Sequence, residues 1–273
     1  MGPVKVMGIV NVTPDSFSGD GLTDPGAAVK RGLAMVAAGA DLVDVGGEST
    51  RPGHSPLAAE EEMARVLPVV AGLAGAGVTV SVDTSKLEVA EAALDAGAAM
   101  VNDVTALRAE PELAALCAGR GCEVVLMHML GDPRTMQENP TYDDVVDEVR
   151  AFLAERIEFA LAAGIEEHRI WVDPGIGFGK TVEHNLELLR RLGELRELGR
   201  PVCVGTSRKS FIGKITGRPV GERLGGTIAS CALAYANGAR MLRVHDVGPV
   251  REAIAVAGAA LHAPLRTSDL VDL

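Results

Sequence analysis

Three kinds of chemically able side chain recur in this sequence, each just after a short apolar run. The carboxylates and amide are Asp83, Asn102 and Asp173. The cations are Arg51, Arg208, Lys209 and Arg243, with His245 beside them, and the small hydroxyls are Ser49, Thr50, Thr206, Ser207 and Ser210. An ionised Asp accepts two hydrogen bonds from an amino-amidine edge, and Asn both donates and accepts, so the first set suits a flat, nitrogen-rich heterocycle. The cations suit phosphate. Arg243 and His245 are separated by one residue, so on an extended strand they point to the same side. Plainer readings stand beside these. Asp83, followed by Thr84 and Ser85, also has the pattern of a helix cap, and Arg243 with His245 also fits a salt-bridged arginine beside a packed histidine. Asp173 fits a cap less well, because Pro174, Gly175, Gly177 and Gly179 follow it and such a loop lets backbone approach a ligand closely.

Other chemistries lack their residues. There is no HExxH and no Cys/His cluster at zinc spacing, so a built-in zinc site is not expected. No Ser/His/Asp order or activated cysteine stands out, so neither is covalent catalysis. GTSRKS lacks the Walker spacing of a P-loop. His128, standing alone, reads as structural. A magnesium ion brought in with a diphosphate, held by an oxygen such as that of Asn11, fits better than a resident metal.

These residues need a scaffold that gathers them on one rim. The stretch Val4–Gly21, VKVMGIVNVTPDSFSGDG, opens as a nearly continuous β-branched run, as in a strand buried on both faces. At Asn11 it gives way to a polar, Gly/Pro-rich loop carrying one aromatic, Phe17. Asp24 as N-cap and Pro25 at the first turn then start a helix of about residues 24–39. The pattern recurs. Apolar runs end at Asn11, Asp44, Asp83, Asn102, His128, Asp173, Gly205 and His245, a spacing of about 33 residues that matches an eightfold strand–helix repeat, the (β/α)8 TIM barrel of the α/β class. Helices are expected over about 57–74, 143–163, 182–198, 223–237 and 250–261. The 143–163 helix shows Val146, Val149, Leu153, Ile157 and Ala160 at helical spacing; that of 182–198 shows Leu186, Leu189, Leu192 and Leu195. A doubly wound sheet is the structural alternative, but nothing reads as a GxGxxG turn after a strand.

Composition agrees. The chain has 273 residues, 47% hydrophobic and only 3% aromatic, which suits a single domain over residues 1–273 with an aliphatic core. No apolar stretch reaches the roughly 18 residues of a membrane span, and no signal peptide is evident. The four cysteines lie in apolar contexts and read as buried free thiols, which fits a cytoplasmic protein. A net charge of −11 without a basic run argues against a nucleic-acid partner. Any phosphate site must therefore be a local focus of Arg and Lys inside a cleft.

NVTPDSFS at Asn11–Ser18, GGESTRPG at Gly46–Gly53, DPGIGFGK at Asp173–Lys180, GTSRKSF at Gly205–Phe211 and RVHDV at Arg243–Val247 together resemble the dihydropteroate synthase family. VDTSK, NDV and MHMLGDPRTMQ fill the intervals as in that family. The first loop reads SFSGDG where the family more often reads SFSDGG, so Asp20 is moved by one place. The resemblance implies a barrel transferase of folate synthesis, a sulfonamide target, that joins 6-hydroxymethyl-7,8-dihydropterin diphosphate to 4-aminobenzoate, releasing diphosphate. It implies that Asp83, Asn102, Asp173 and Lys209 hold the pterin with Met127 packing in its pocket. Asn11, Arg243 and His245 would hold the diphosphate and its Mg2+. Phe17, Thr50, Arg51, Pro52, Phe178 and Ser210 would surround the aminobenzoate. Asp83, Lys209, Arg243 and His245 would carry the catalysis, and a homodimer is expected. A pterin-binding methyltransferase barrel would share Asp83, Asn102 and Asp173 but would not need Lys209, Arg243 and His245 around a diphosphate. A non-catalytic pterin-binding protein would lose the diphosphate residues, which are all present.

Overall fold

Side chains on a strand alternate between its two faces, and here that alternation separates two chemistries. In a computed structural model, which describes residues 4–13, 22, 24–49, 57–131 and 135–262, eight parallel strands follow one another. They are β1 (Lys5–Asn11), β2 (Leu42–Gly46), β3 (Val80–Asp83), β4 (Met100–Asp103), β5 (Glu123–Met127), β6 (Ile170–Asp173), β7 (Cys203–Val204) and β8 (Met241–Val244). Hydrogen-bonded neighbours run β6-β5-β4-β3-β2-β1-β8-β7. The remaining seam, β6 to β7, is closed by a parallel bridge between Val172 and Val202, with the Val172 N–H donating to the Pro201 carbonyl at 3.1 Å. The result is the closed barrel that the strand-end repeat predicts.

One face of each strand belongs to the helices. Val43, Val45, Val80, Val82, Val101, Val124, Val172, Val204, Leu242 and Val244 all sit in one continuous apolar cluster with the helix undersides. The other face fills the barrel. Met7, Leu42, Met100, Val125, Trp171, Cys203 and Met241 form a second, separate cluster there. Two residues further along the chain from each, hence on the same inner face, come Ile9, Asp44, Asn102, Met127, Asp173, Gly205 and Arg243. The interior is therefore apolar below and takes up its charged and amide groups above, and the change happens within one side-chain layer. At the opposite mouth Trp171 donates from Nε1 to Glu123 at 2.5 Å, and the Lys5 ammonium lies 5.2 Å from the Trp171 ring centre.

The surrounding helices are α1 (Pro25–Ala37), α2 (Ala59–Gly75), α3 (Leu87–Asp95), α4 (Leu113–Arg120), α5 (Val145–Ala162), α6 (Val182–Arg190), α7 (Ser210–Thr216), α8 (Leu224–Ala236) and α9 (Val247–His262). Asp24 caps α1 by accepting from the Ala27 N–H, and Pro25 opens it, as the sequence indicates. The apolar residues expected on α5 are all buried. The helix expected over 182–198 differs. It stops at Arg190 and continues as a 3-10 helix over Leu192–Leu198. Gly193 is a poor helix former, and the three-residue spacing of Leu192 and Leu195, both buried, suits the tighter coil. Leu186, placed on the apolar stripe by its spacing, is exposed instead. The short α7 has no counterpart in the sequence reading. The four cysteines are free and buried, and no helix among the described residues is long and apolar enough to cross a membrane.

Candidate active site

The charged upper layer is tied together by one guanidinium. Arg243 donates from Nε to Asp44 Oδ2 and from Nη2 to Asp83 Oδ2, each at 2.6 Å. Asn102 donates from Nδ2 to the same Asp44 oxygen at 3.1 Å. Asp44 is wholly buried, and a buried carboxyl so placed needs partners of this kind to offset its lost hydration. Burial pushes the Asp83 pKa well up from the usual carboxylate range; Arg243 pulls it back, and the nearby Asp44 charge raises it again. For Arg243 itself, burial disfavours the cation, but Asp44 and Asp83 outweigh burial and leave its pKa above the ordinary value. Asp83 does not cap the next helix, so the plainer reading of it falls away. α3 begins after Lys86, which has no side-chain capping bond.

Asp173, buried at the end of β6, accepts the Gly175 N–H at 2.7 Å. Burial raises its pKa, with Lys209 opposing. Lys209 enters from the loop after β7. Its ammonium donates to the Ile176 carbonyl and lies 4.7 Å from the Phe178 ring centre. Burial lowers the Lys209 pKa to about 8, against the attraction of Asp173.

The loop from Pro174 to Thr181 that faces these groups is rigidly supported. Gln137 Nε2 donates to the Gly177 carbonyl at 2.7 Å, Tyr142 Oη to the Gly179 carbonyl at 2.8 Å, and the Gly177 N–H to Asn185 Oδ1 at 2.6 Å. Gly175 has a φ of +67°, and a Cβ there would stand 1.8 Å from the His128 carbonyl oxygen. Lys180, also buried, donates from Nζ to the Phe178 carbonyl and meets His128 Nδ1, both at 2.9 Å. Burial, helped by Lys180 and Arg108, lowers the His128 pKa to about 2. A neutral histidine accepting from a buried lysine is the structural role expected for His128.

Above this floor opens a cleft of about 200 Å³. Of the sequence-predicted residues, Asn11, Ser49, Asp83, Phe178, Ser207, Lys209, Ser210, Arg243 and His245 line it. Asn102, Asp173 and Met127 are brought to the same mouth but are buried beneath it, Met127 in an apolar group with Val104, Met129 and Met136, against which Phe178 packs. Phe17, Thr50, Arg51, Pro52 and Asp20 lie outside the described residues. Ser207 shares a hydrogen bond with His245 Nδ1 at 2.9 Å and accepts the His245 backbone N–H at 3.2 Å. Ser207 thereby fixes the plane of the His245 ring at the cleft wall. Arg208, grouped with the rim cations by its sequence position, turns away: it pairs with both carboxylate oxygens of Asp246, at 2.9 and 2.7 Å. Thr206 is buried beside Cys231 and Ser230 and belongs to the packing.

Sequence reasoning missed Asp44 as a site residue, along with Lys180, Gln137 and Glu48. Asp44 carried a usable signal, since it stands two residues after Leu42 on an inward face. A charge at such a position must meet a counter-charge inside the barrel. Lys86, after β3, binds Glu48 and, at 2.5 Å, the buried Glu62 of α2. That cluster links residues far apart in sequence and has no local pattern.

The donor set also tests for a metal. Among the described residues no three His, Cys, Asp or Glu side chains gather as metal ligands. Asn11 places a hard amide oxygen in the cleft. That fits magnesium, which keeps several waters and is carried by one or two protein oxygens and substrate phosphates.

A parallel barrel with a carboxylate and amide layer below a cationic cleft suits a nitrogen-rich heterocycle that carries phosphate. The family described as pterin binding enzyme matches residues 7–245. A dihydropteroate synthase of Mycobacterium leprae is 47% identical over 271 residues, covering 96% of this chain and 95% of that one. Among solved structures, the Yersinia pestis dihydropteroate synthase in complex with a sulfonamide drug superposes with a TM-score of 0.93 at 43% identity, covering 96% of this chain and 95% of that one. The Xanthomonas albilineans dihydropteroate synthase with 4-aminobenzoic acid gives 0.88 at 48%, with 96% and 94% covered. This chain belongs to the pterin-binding enzymes and, among them, to the dihydropteroate synthase family.

Proposed function

We propose that the protein condenses 6-hydroxymethyl-7,8-dihydropterin diphosphate with 4-aminobenzoate to give 7,8-dihydropteroate and diphosphate, a transferase step of folate synthesis. The observation that carries this reading is the Asp44–Arg243–Asp83 chain with Asn102, Asp173 and Lys209 on one barrel rim. Its carboxylates and amide match the donor–acceptor edge of a pterin. Arg243 uses two N–H groups on Asp44 and Asp83; a guanidinium has five, so others can address the first phosphate while the carboxylates keep the plane fixed. His245, held by Ser207 at the cleft wall, supplies a further polar group for the phosphate. The 4-aminobenzoate bound by the X. albilineans relative supports the second substrate. Phe178 and Ser210 would flank it here, with Phe17, Thr50, Arg51 and Pro52 completing that subsite.

The aryl amine is a weak nucleophile, so departure of diphosphate leads. Asp83 and the pterin floor stabilise positive charge spreading into the ring, while Arg243 and His245 take the negative charge of the leaving group. The amine then forms the C–N bond and gives up a proton, and exclusion of water keeps the cation from being captured. Mg2+ arriving with the diphosphate, held by Asn11, would supply further neutralisation.

A homodimer and a cytoplasmic location complete the reading. Leu186 on α6, Ile215 on α7 and Leu224 and Leu233 on α8 are exposed, an apolar set on neighbouring helices that supports a dimer face. The buried free thiols support a reducing compartment. The test of the reaction is to supply both substrates with magnesium and assay 7,8-dihydropteroate. Its formation by the wild type, and its loss in Arg243→Ala, is expected; absence of product from the wild type would overturn the reading.

A further inference from the structure

β1 puts three side chains on the cleft wall in a column. Ile9, Asn11 and Thr13 all line the cleft, while Val10 and Val12 face the outer core. The ladder continues past the strand, since the Val12 N–H donates to the Gly46 carbonyl at 2.8 Å. That holds Thr13 on the same face as Asn11, one side-chain step further out. Gly8 pairs with Val244, so His245, the next residue, stands level with Ile9. Rising outward, the wall therefore reads His245 beside Ile9, then Asn11, then Thr13.

Thr13 is only 4% exposed, and its Oγ1 is a buried polar atom with no hydrogen-bond partner among the described residues. A buried hydroxyl without a partner is disfavoured by roughly 1–3 kcal/mol, and at the wall of a cleft a turn about χ1 that brings it to a ligand relieves that cost. The polar side chains below it on the same wall say which. Asn11 and His245 are the residues assigned above to the diphosphate, and Thr13 lies beyond both, where the outer phosphate would emerge. We infer that Thr13 is a further substrate-binding residue, its hydroxyl donating a hydrogen bond to an oxygen of the outer phosphate of the pterin diphosphate and, as that bond breaks, of the departing diphosphate. The inference rests on the proposed reaction for the identity of its ligand.

Thr13→Val keeps the shape and removes the donor; Thr13→Ser keeps the donor. Three quantities separate a substrate contact from a structural one. They are the Kd of magnesium diphosphate by calorimetry, the KM for each substrate, and the melting temperature. For Thr13→Val we expect magnesium diphosphate to bind about tenfold more weakly, as loss of one hydrogen bond to a charged group gives. KM for the pterin diphosphate should rise in step, KM for 4-aminobenzoate should be unchanged, and the Tm should be unchanged or raised, because an unpartnered hydroxyl has been removed. Thr13→Ser should restore diphosphate binding to within about twofold. Wild-type affinity for magnesium diphosphate in Thr13→Val, a wild type that does not bind it, or a lowered Tm in Thr13→Val would each overturn the assignment. Failure of the proposed reaction shows separately, as absence of dihydropteroate from a wild type that still binds magnesium diphosphate.

Discussion

Replacing Arg243 removes the one cation that two carboxylates share, and the geometry sets what that should cost. Each pair is 2.6 Å apart. At an effective dielectric near 20, unit charges at that distance attract by about 6 kcal/mol before desolvation is counted. Net, breaking such a buried pair by removing one partner costs ~3–5 kcal/mol, mostly because the other charge is left buried and unpaired. Arg243→Ala strands Asp44, which has no solvent exposure, and Asp83 together, so it belongs at the upper end of that range. Asp44→Ala leaves Arg243 with Asp83 and should cost less, ~1–3 kcal/mol. In the double variant the stranded Asp44 is gone, so the two losses should overlap, with a coupling of ~2 kcal/mol. Equilibrium urea unfolding of the three variants and the wild type closes the cycle. An Arg243→Ala variant no less stable than Asp44→Ala, or a coupling under about 0.5 kcal/mol, would refute the shared-cation account. Arg243→Ala should also raise the reaction barrier by ~2–4 kcal/mol, about 30- to 1,000-fold in rate. An activity within about twofold of wild type would remove Arg243 from the leaving-group site.

Two further outcomes follow from the floor and the loop beside it. The half-buried Lys209 ammonium should lose its proton as pH rises through about 8, so affinity for the pterin diphosphate should fall above that pH, and Lys209→Arg, which keeps its charge, should flatten the fall; a wild-type affinity constant to about pH 9.5 would contradict this. The linked stability runs the other way. Because the folded-state pKa lies below the unfolded value, Lys209 should make unfolding harder as pH rises from about 8 toward 10.4. Gly175→Ala combines a positive φ with a contact to the His128 carbonyl and should cost about 3 kcal/mol or more, a Tm drop of about 6–12 °C; a drop under about 2 °C would show that the loop yields.

How far the sequence could be read depended on whether the information was local. Each strand end is a local event, an apolar run giving way to a polar residue, so the barrel and most of its rim were visible. Helix ends followed their caps at Asp24 and near Asp144. The expected helix of 182–198 failed because apolar spacing alone does not distinguish an α-helix from a 3-10 continuation past Gly193. The partners of Arg243 were hidden for a different reason. Asp44 lies 199 positions away, and only closing the barrel brings the two together. The same holds for Lys180 and His128, 52 positions apart. The unpartnered state of Thr13 is a property of packing, and no residue type or spacing announces it.

On the proposed reaction, one cleft activates a pterin diphosphate and delivers its carbon to an aryl amine. Diphosphate release, followed with and without 4-aminobenzoate in the presence of magnesium, tests it most directly. Release that depends on 4-aminobenzoate and matches dihydropteroate formed, molecule for molecule, is the predicted result. Tight binding of the pterin diphosphate with no diphosphate released under either condition would contradict the account.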